Sequence, residues 1–183
     1  MRTLPLDKVF QLIEPGPVVL VSTARKGRRP NLMTLTWHLA MNFTPPLIGC
    51  VIGPWDYSYA ALRATRECVI AIPGVDLAEK VVGIGNCSGQ EVDKFRAFRL
   101  TPLPAEKVCA PLVAECLANL ECRLVDATLS RKFGFLVLEA VRAWTHPGRR
   151  EQRTFHANGD GTFKVDGRTL NLKKLMTKYP EFT

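Results

Sequence analysis

The stretch Pro30–Pro46, PNLMTLTWHLAMNFTPP, decides how the rest of this 183-residue chain is read. It follows the basic turn RKGRR directly and ends on a double proline. A strand built only for burial alternates more cleanly, and a surface loop does not gather Met33, Trp37, Met41 and Phe43 so closely. Its mixture of polar Asn31, Thr34 and Thr36 with Met33, Trp37 and His38 is that of a strand and bend with something bound against it.

Outward from this stretch the chain reads mainly as strands. Upstream, Leu4–Ile13 has the spacing of a short amphipathic helix, stopped by Glu14-Pro15-Gly16-Pro17. Val18–Ala24, VVLVSTA, is a β-branched run typical of a buried strand, and RKGRRP turns it back into the opening segment as a hairpin. Downstream, LIGCVIG is another buried strand. Tyr57–Glu67 is helix-like and feeds the strand CVIAIP, Val75–Gly83 is a second helix ended by the glycine-rich GIGNCSG, and Gln90–Phe98 a third. LANLECRLVDATL and FGFLVLEAVRAWTH are long strand patterns. RTFHANGDGTFKVDGRTL carries turn signals at Asn158-Gly159 and Asp166-Gly167, and the basic tail beyond it is expected to be loosely ordered. Strands broken by short helices, without regular βαβ alternation, predict a single mainly β domain over residues 1–183, a β-barrel with appended short helices.

The hydrophobic fraction of 46% and charged fraction of 23% are those of an ordinary globular chain, with no apolar run long enough to span a bilayer. A cytoplasmic protein with no membrane partner is the expectation. Six cysteines without a Cys-x-x-Cys pair, and three dispersed histidines, predict reduced thiols and no metal site; Cys87, in the polar loop NCSGQ, stands apart as exposed. The net charge of +8, concentrated in RKGRR, Arg149-Arg150 and Lys173-Lys174, raises nucleic acid as a partner. No aromatic residue interleaves RKGRR, so a small anion such as a phosphate is favoured over nucleic acid.

No catalytic elbow, phosphate loop or zinc-helix motif is present, and GIGNCSG follows a helix where a dinucleotide fingerprint needs a strand. What remains suits a flat, amphipathic, phosphorylated ligand: hydrogen-bonding Asn31, Thr34 and Thr36, apolar Met33 and Trp37, a helix start at Tyr57-Ser58 and a cation at Lys94. Taken singly, Trp37 reads as a core aromatic, Ser58 as a helix N-cap, Lys94 as a solvated helix residue and His38 as structural.

The strings GRRPNLMTLTWHLAMNFTPPLIGCVI, YSYAALRATRECVIAIP and VVGIGNCSGQEVDKF, continued through APLVAECLANLECRLVDATL and FGFLVLEAVRAW, resemble in order the flavin reductase-like proteins with an FMN-binding split barrel, the flavoredoxin branch above all. The resemblance implies a homodimeric split β-barrel holding FMN, with electron or hydride transfer at flavin N5. It implies that Asn31, Met33, Thr34, Thr36 and Trp37 run along the isoalloxazine, that Tyr57 and Ser58 contact the ribityl phosphate, and that Cys87, Ser88, Gly89, Lys94 and Phe95 complete the pocket. Reductase members often carry a histidine where this chain has Lys132-Phe133. That departure weighs against direct NAD(P)H oxidation and leaves room for an electron carrier served by a redox partner protein. A ferric-chelate reductase using FMN, and a basic anion- or nucleic-acid-binding barrel without redox function, are the alternatives.

Overall fold

The computed structural model describes residues 1–13 and 16–175. Chain order begins with β1 (Arg2–Leu4), α1 (Phe10–Ile13), β2 (Val19–Thr23), β3 (Asn31–Leu35), β4 (His38–Phe43) and β5 (Pro46–Val51). It continues with α2 (Tyr57–Thr65), β6 (Glu67–Ile72), α3 (Ala78–Gly85), α4 (Lys94–Ala97), β7 (Pro102–Leu103) and β8 (Leu112–Val113). Then come β9 (Ala118–Asp126), α5 (Ser130–Phe133), β10 (Phe135–Thr145), β11 (Phe155–Ala157) and β12 (Phe163–Val165). Among the described residues, the main antiparallel sheet has the order β3-β2-β6-β9-β10-β5-β4, with β1 also paired to β10.

The sheet is forced to curl by its own connectivity. β3 and β4 lie at opposite ends of the strand order, yet only Thr36 and Trp37 join them. Three residue steps from Leu35 to His38 reach at most about 11 Å, so the two ends of the sheet stand close together without pairing. A mainly β, split-barrel fold follows, and the bend expected within Pro30–Pro46 is the point where the barrel turns from one end of its sheet to the other.

Alternation along the strands sorts the core into two layers. Val19 and Val21 of β2, Cys68, Ile70 and Ile72 of β6, Leu120 and Leu124 of β9, and Leu136 and Leu138 of β10 fill the barrel interior. The opposite faces of β2 and β3, through Leu20 and Leu32, pack against Val81 and Ile84 of α3 and Phe95 of α4. Each fully buried leucine or isoleucine contributes about 1.5–3 kcal/mol relative to leaving it in water. Cys50, Cys68, Cys116 and Cys122 are buried free thiols, as the spacing led one to expect; Cys87 is half-buried and Cys109 exposed.

Several elements depart from the sequence reading. The N-terminal helix is split: Leu4 belongs to β1, because a residue before proline favours extended backbone, and Leu6–Lys8 form a 3-10 turn before α1. The helix after Pro73 begins as a 3-10 turn at Val75–Leu77 and runs through Gly83 to Gly85. Those glycines serve close packing: a Cβ on Gly83 would lie 2.5 Å from the Phe98 ring. The third helix shrinks to Lys94–Ala97, because Asp93 caps it by accepting from the Arg96 backbone N-H at 3.2 Å. Residues 14, 15 and 176–183, where a helix stop and a loose tail were expected, lie outside the described residues.

Asn158-Gly159 does turn β11 into β12, but Asp166 closes that hairpin and starts no further strand. Its carboxylate accepts from the Thr154 hydroxyl and lies 2.7 Å from His156 Nε2. Burial pushes the Asp166 carboxyl up, but the Thr154 and His156 bonds outweigh it and hold the pKa below the ordinary aspartate value. A depressed folded-state pKa adds stability above the unfolded value, and that stability is lost as pH falls through the folded one. Asp166→Asn is therefore expected to lower the protection factors of the hairpin amides at neutral pH and to remove the further loss of protection on acidification that is expected of the wild type.

Candidate functional site

One cavity collects most of the residues singled out from the sequence. It has a volume of about 300 Å³ and is built by three separate elements. β3 contributes Asn31, Met33 and Thr34, the start of α2 contributes Tyr57 and Ser58, and the segment from α3 to α4 contributes Cys87, Ser88, Gly89 and Lys94. Thr36 and Trp37 line an adjoining groove of about 200 Å³ that shares Met33 and Thr34 with the cavity. Phe95 is 4% exposed and packs into the core beneath α3 and α4 without lining either space.

Local chemistry explains why these side chains hold their places. β3 alternates, so Leu32 and Thr34 face α3; the Thr34 hydroxyl donates to the Val81 carbonyl at 2.6 Å and ties the strand to that helix. Asn31, 6% exposed, donates through Nδ2 to Ser58 Oγ at 2.8 Å, while its buried Oδ1 accepts no hydrogen bond. Gly89 is backed so tightly against it that a Cβ there would sit 1.9 Å from Asn31 Oδ1 and 2.9 Å from the Tyr57 ring. Only glycine fits that approach.

Lys94 has the least ordinary environment. Although it opens a four-residue helix, it is 4% exposed, and its Nζ donates to the Ile84 carbonyl at 2.9 Å. An ammonium carries three donors, and one such bond leaves two to face the cavity. Burial pushes its pKa below the ordinary lysine value, while neighbouring Cys87 acts to raise it. A buried cation with unused donors is costly to the protein alone and favours an electron-rich group beside it.

The readings of single residues change accordingly. Lys94 is not solvated, and Trp37 is 72% exposed instead of buried in the core. The N-cap of α2 is Asp56, with extended backbone, and Ser58 lies within the helix, 2% exposed. His38 does stand as structural: half-buried, it places Nε2 2.7 Å from the Pro17 carbonyl, and burial lowers its pKa. Sequence reasoning missed Trp55, which lines both the cavity and the groove and is 68% exposed. Its ring lies against Gly53 and Gly134, where added Cβ atoms would meet it at 2.3 and 2.9 Å. The local string GPWD hints at a flat approach, but Gly134 enters only through the fold.

A family model described as the flavin reductase like domain matches residues 13–163, which includes every element of the cavity and the groove. The chain belongs to the flavin reductase-like family. This family membership ties it to flavin chemistry. An uncharacterized protein of Archaeoglobus fulgidus is 37% identical over 125 residues, covering 68% of this chain and 69% of that one. Among solved structures, an FMN-binding domain of a flavin reductases-like enzyme from Shewanella baltica OS155 is similar at a TM-score of 0.85 and 23% identity, covering 93% of this chain and 96% of its own. Flavoredoxin of Desulfovibrio vulgaris (Miyazaki F) is similar at a TM-score of 0.77 and 24% identity, covering 85% and 89%. At those identities the two structures establish a common fold with this flavin reductase-like chain.

Proposed function

We propose that this protein is an FMN-binding redox protein of the flavoredoxin and flavin reductase type, working as an electron carrier. The observation that carries the reading is the buried Lys94 ammonium, which makes one hydrogen bond to the protein at a cavity continuous with two exposed indoles. A flavin ring has flat apolar faces and an edge rich in hydrogen-bond acceptors, and these surroundings offer a match for each. Trp37 and Trp55 offer flat faces beside Met33, and Lys94 offers positive charge and free donors. Gly89 removes the side chain that would otherwise crowd Asn31. FMN, when bound, supplies electron and hydride transfer at its N5 atom. The protein's part is to orient the ring, exclude water from it and hold a positive charge at Lys94 Nζ.

The carrier assignment rests on Lys132-Phe133. Neither residue lines the cavity or the groove; Phe133 is 54% exposed, and Lys132 Nζ sits over its ring at 5.0 Å. No histidine stands there to meet a nicotinamide, so a partner redox protein is the favoured donor. In anaerobic spectra of the FMN-loaded protein, the oxidised-flavin bands are expected to persist with NADH and with NADPH and to bleach with dithionite. Rapid bleaching by either nicotinamide would make it a reductase, and re-oxidation by a ferric chelate would identify the acceptor in that case.

A second copy of the chain is the proposed partner for β4. Its alternation runs backwards, with Leu39, Met41 and Phe43 on the exposed side, next to exposed Trp37 at the groove. A row of apolar side chains on an end strand marks an association surface. Sedimentation is expected to report twice the chain mass, and Met41→Asp to return it to the single-chain value.

A further inference from the structure

The short helix α5 carries an exposed face that lines neither the cavity nor the groove. Leu129, its N-cap, and Phe133 stand one turn apart, the Phe133 backbone N-H donating to the Leu129 carbonyl at 2.9 Å, and both side chains are exposed. Val125, near the end of β9, is exposed as well. Cations border these apolar groups. Arg131 and Lys132 lie between Leu129 and Phe133 and are exposed. Tyr59 ties α2 to α5, its hydroxyl donating to Ser130 Oγ at 3.1 Å, and Arg63 and Arg66 follow it at the spacing of one helix face. Arg66 reaches β9 directly, donating to the Leu124 carbonyl at 2.5 Å. Among the described residues none of these four cations forms an ion pair. The carboxylates nearby in the chain are engaged locally: Asp126 accepts from the Thr128 backbone N-H at 2.7 Å and hydroxyl at 2.6 Å, and Glu67 from the Cys109 backbone N-H at 2.9 Å. This face meets the groove at Trp55, whose ring lines the groove and lies against Gly134 at the end of α5.

We infer that the α5 face, apolar at Leu129 and Phe133 and rimmed by Arg63, Arg66, Arg131 and Lys132, is the docking surface for an acidic redox protein that delivers electrons to the groove past Trp55. The inference rests on the electron-carrier reading above and gives that donor its place and its charge. An apolar centre with an aromatic anchor and a charged rim is the chemistry of a protein interface. Complexes that exchange electrons sit at the low end of interface area, and opposite charges steer their assembly. A one-electron donor is oxidised by one electron per encounter; two encounters, with two protons from water, make up the two-electron reduction of the flavin.

The test uses an acidic iron-sulfur ferredoxin as the probe, titrated by calorimetry against the FMN-loaded and the flavin-free protein. Wild type is expected to bind it in both forms, about tenfold or more weaker at physiological than at low salt. At physiological salt, Arg131→Glu with Lys132→Glu is expected to weaken binding by about tenfold or more and to slow flavin bleaching by reduced ferredoxin in step. FMN affinity and bleaching by dithionite stay as in the wild type. Lys173→Glu with Lys174→Glu makes the same change in net charge on the C-terminal segment and is expected to bind the ferredoxin as the wild type does. Phe133→Ser keeps every charge and is expected to cost about tenfold in affinity with the salt dependence retained, which decides the matter should the α5 charge variant fail to fold. Equal losses in the two charge variants, or wild-type affinity in either α5 variant, overturn the surface. So does a wild type that does not bind the ferredoxin, or that binds a basic cytochrome or an oligonucleotide in its place. Should FMN fail to bind, the flavin reading falls separately, and the ferredoxin titration of the flavin-free protein still decides the surface.

Discussion

Replacing Lys94 by methionine is expected to lower FMN affinity by about tenfold to a hundredfold while leaving the apoprotein at least as stable as the wild type. Charge-assisted hydrogen bonds are worth about 1.5–3 kcal/mol, and 1.4 kcal/mol is a factor of ten in affinity. The stability side of the prediction has the opposite sign because the lysine is buried at 4% exposure and desolvation already lowers its pKa. Methionine fills a similar volume without a charge to desolvate, and the loss is one hydrogen bond to Ile84. The pH dependence separates the two roles. The unfolded chain keeps this proton to higher pH than the folded chain does. The wild-type apoprotein therefore gains stability from this group as pH rises toward the ordinary lysine value, and FMN affinity falls over the same interval. Both trends vanish in Lys94→Met. A variant that melts far below wild type with unchanged FMN affinity would make Lys94 a structural residue.

Gly89→Ala is the second large effect, reached by crowding instead of by charge. The new methyl would stand 1.9 Å from Asn31 Oδ1 and 2.4 Å from its Cγ. Asn31 cannot swing aside freely, since it is buried and holds Ser58 at 2.8 Å. Either the loop carrying Cys87 and Ser88 moves out, or the Asn31–Ser58 bond breaks, and each route deforms the cavity. Overpacking and a broken buried hydrogen bond each cost about 1–3 kcal/mol, so a lowered melting temperature and at least about a tenfold loss of FMN affinity are expected together. Calorimetric melting and an FMN titration check both, and a wild-type result in the two assays would rule out the tight approach.

Much of this was legible in the residues, and the failures have physical causes. VVLVSTA and RKGRRP specify a strand and a hairpin through local chemistry alone, and β2 and β3 form there. The mixed character of Pro30–Pro46 has a visible physical cause, because Leu32 and Leu35 serve two different core layers while Asn31 and Met33 line the cavity. Lys94 could not be placed from its neighbours Asp93 and Phe95, since its burial depends on a carbonyl of α3 that the fold brings close. Trp55 escaped notice because half of its support, Gly134, lies far along the chain. The glycines of GIGNCSG looked like helix stops, yet Gly83 and Gly85 lie inside α3, where close packing against Phe98 and Thr34 outweighs low helix propensity.

The central claim is that the Lys94 cavity and its groove hold FMN. The most direct measurement is an equilibrium titration of the purified, flavin-stripped protein with FMN, followed by flavin fluorescence and the visible spectrum, in parallel with Lys94→Met. Saturable binding of one FMN per chain, weakened about tenfold or more by Lys94→Met, is the predicted result. Failure of the wild-type protein to change the fluorescence or spectrum of added FMN would contradict the account.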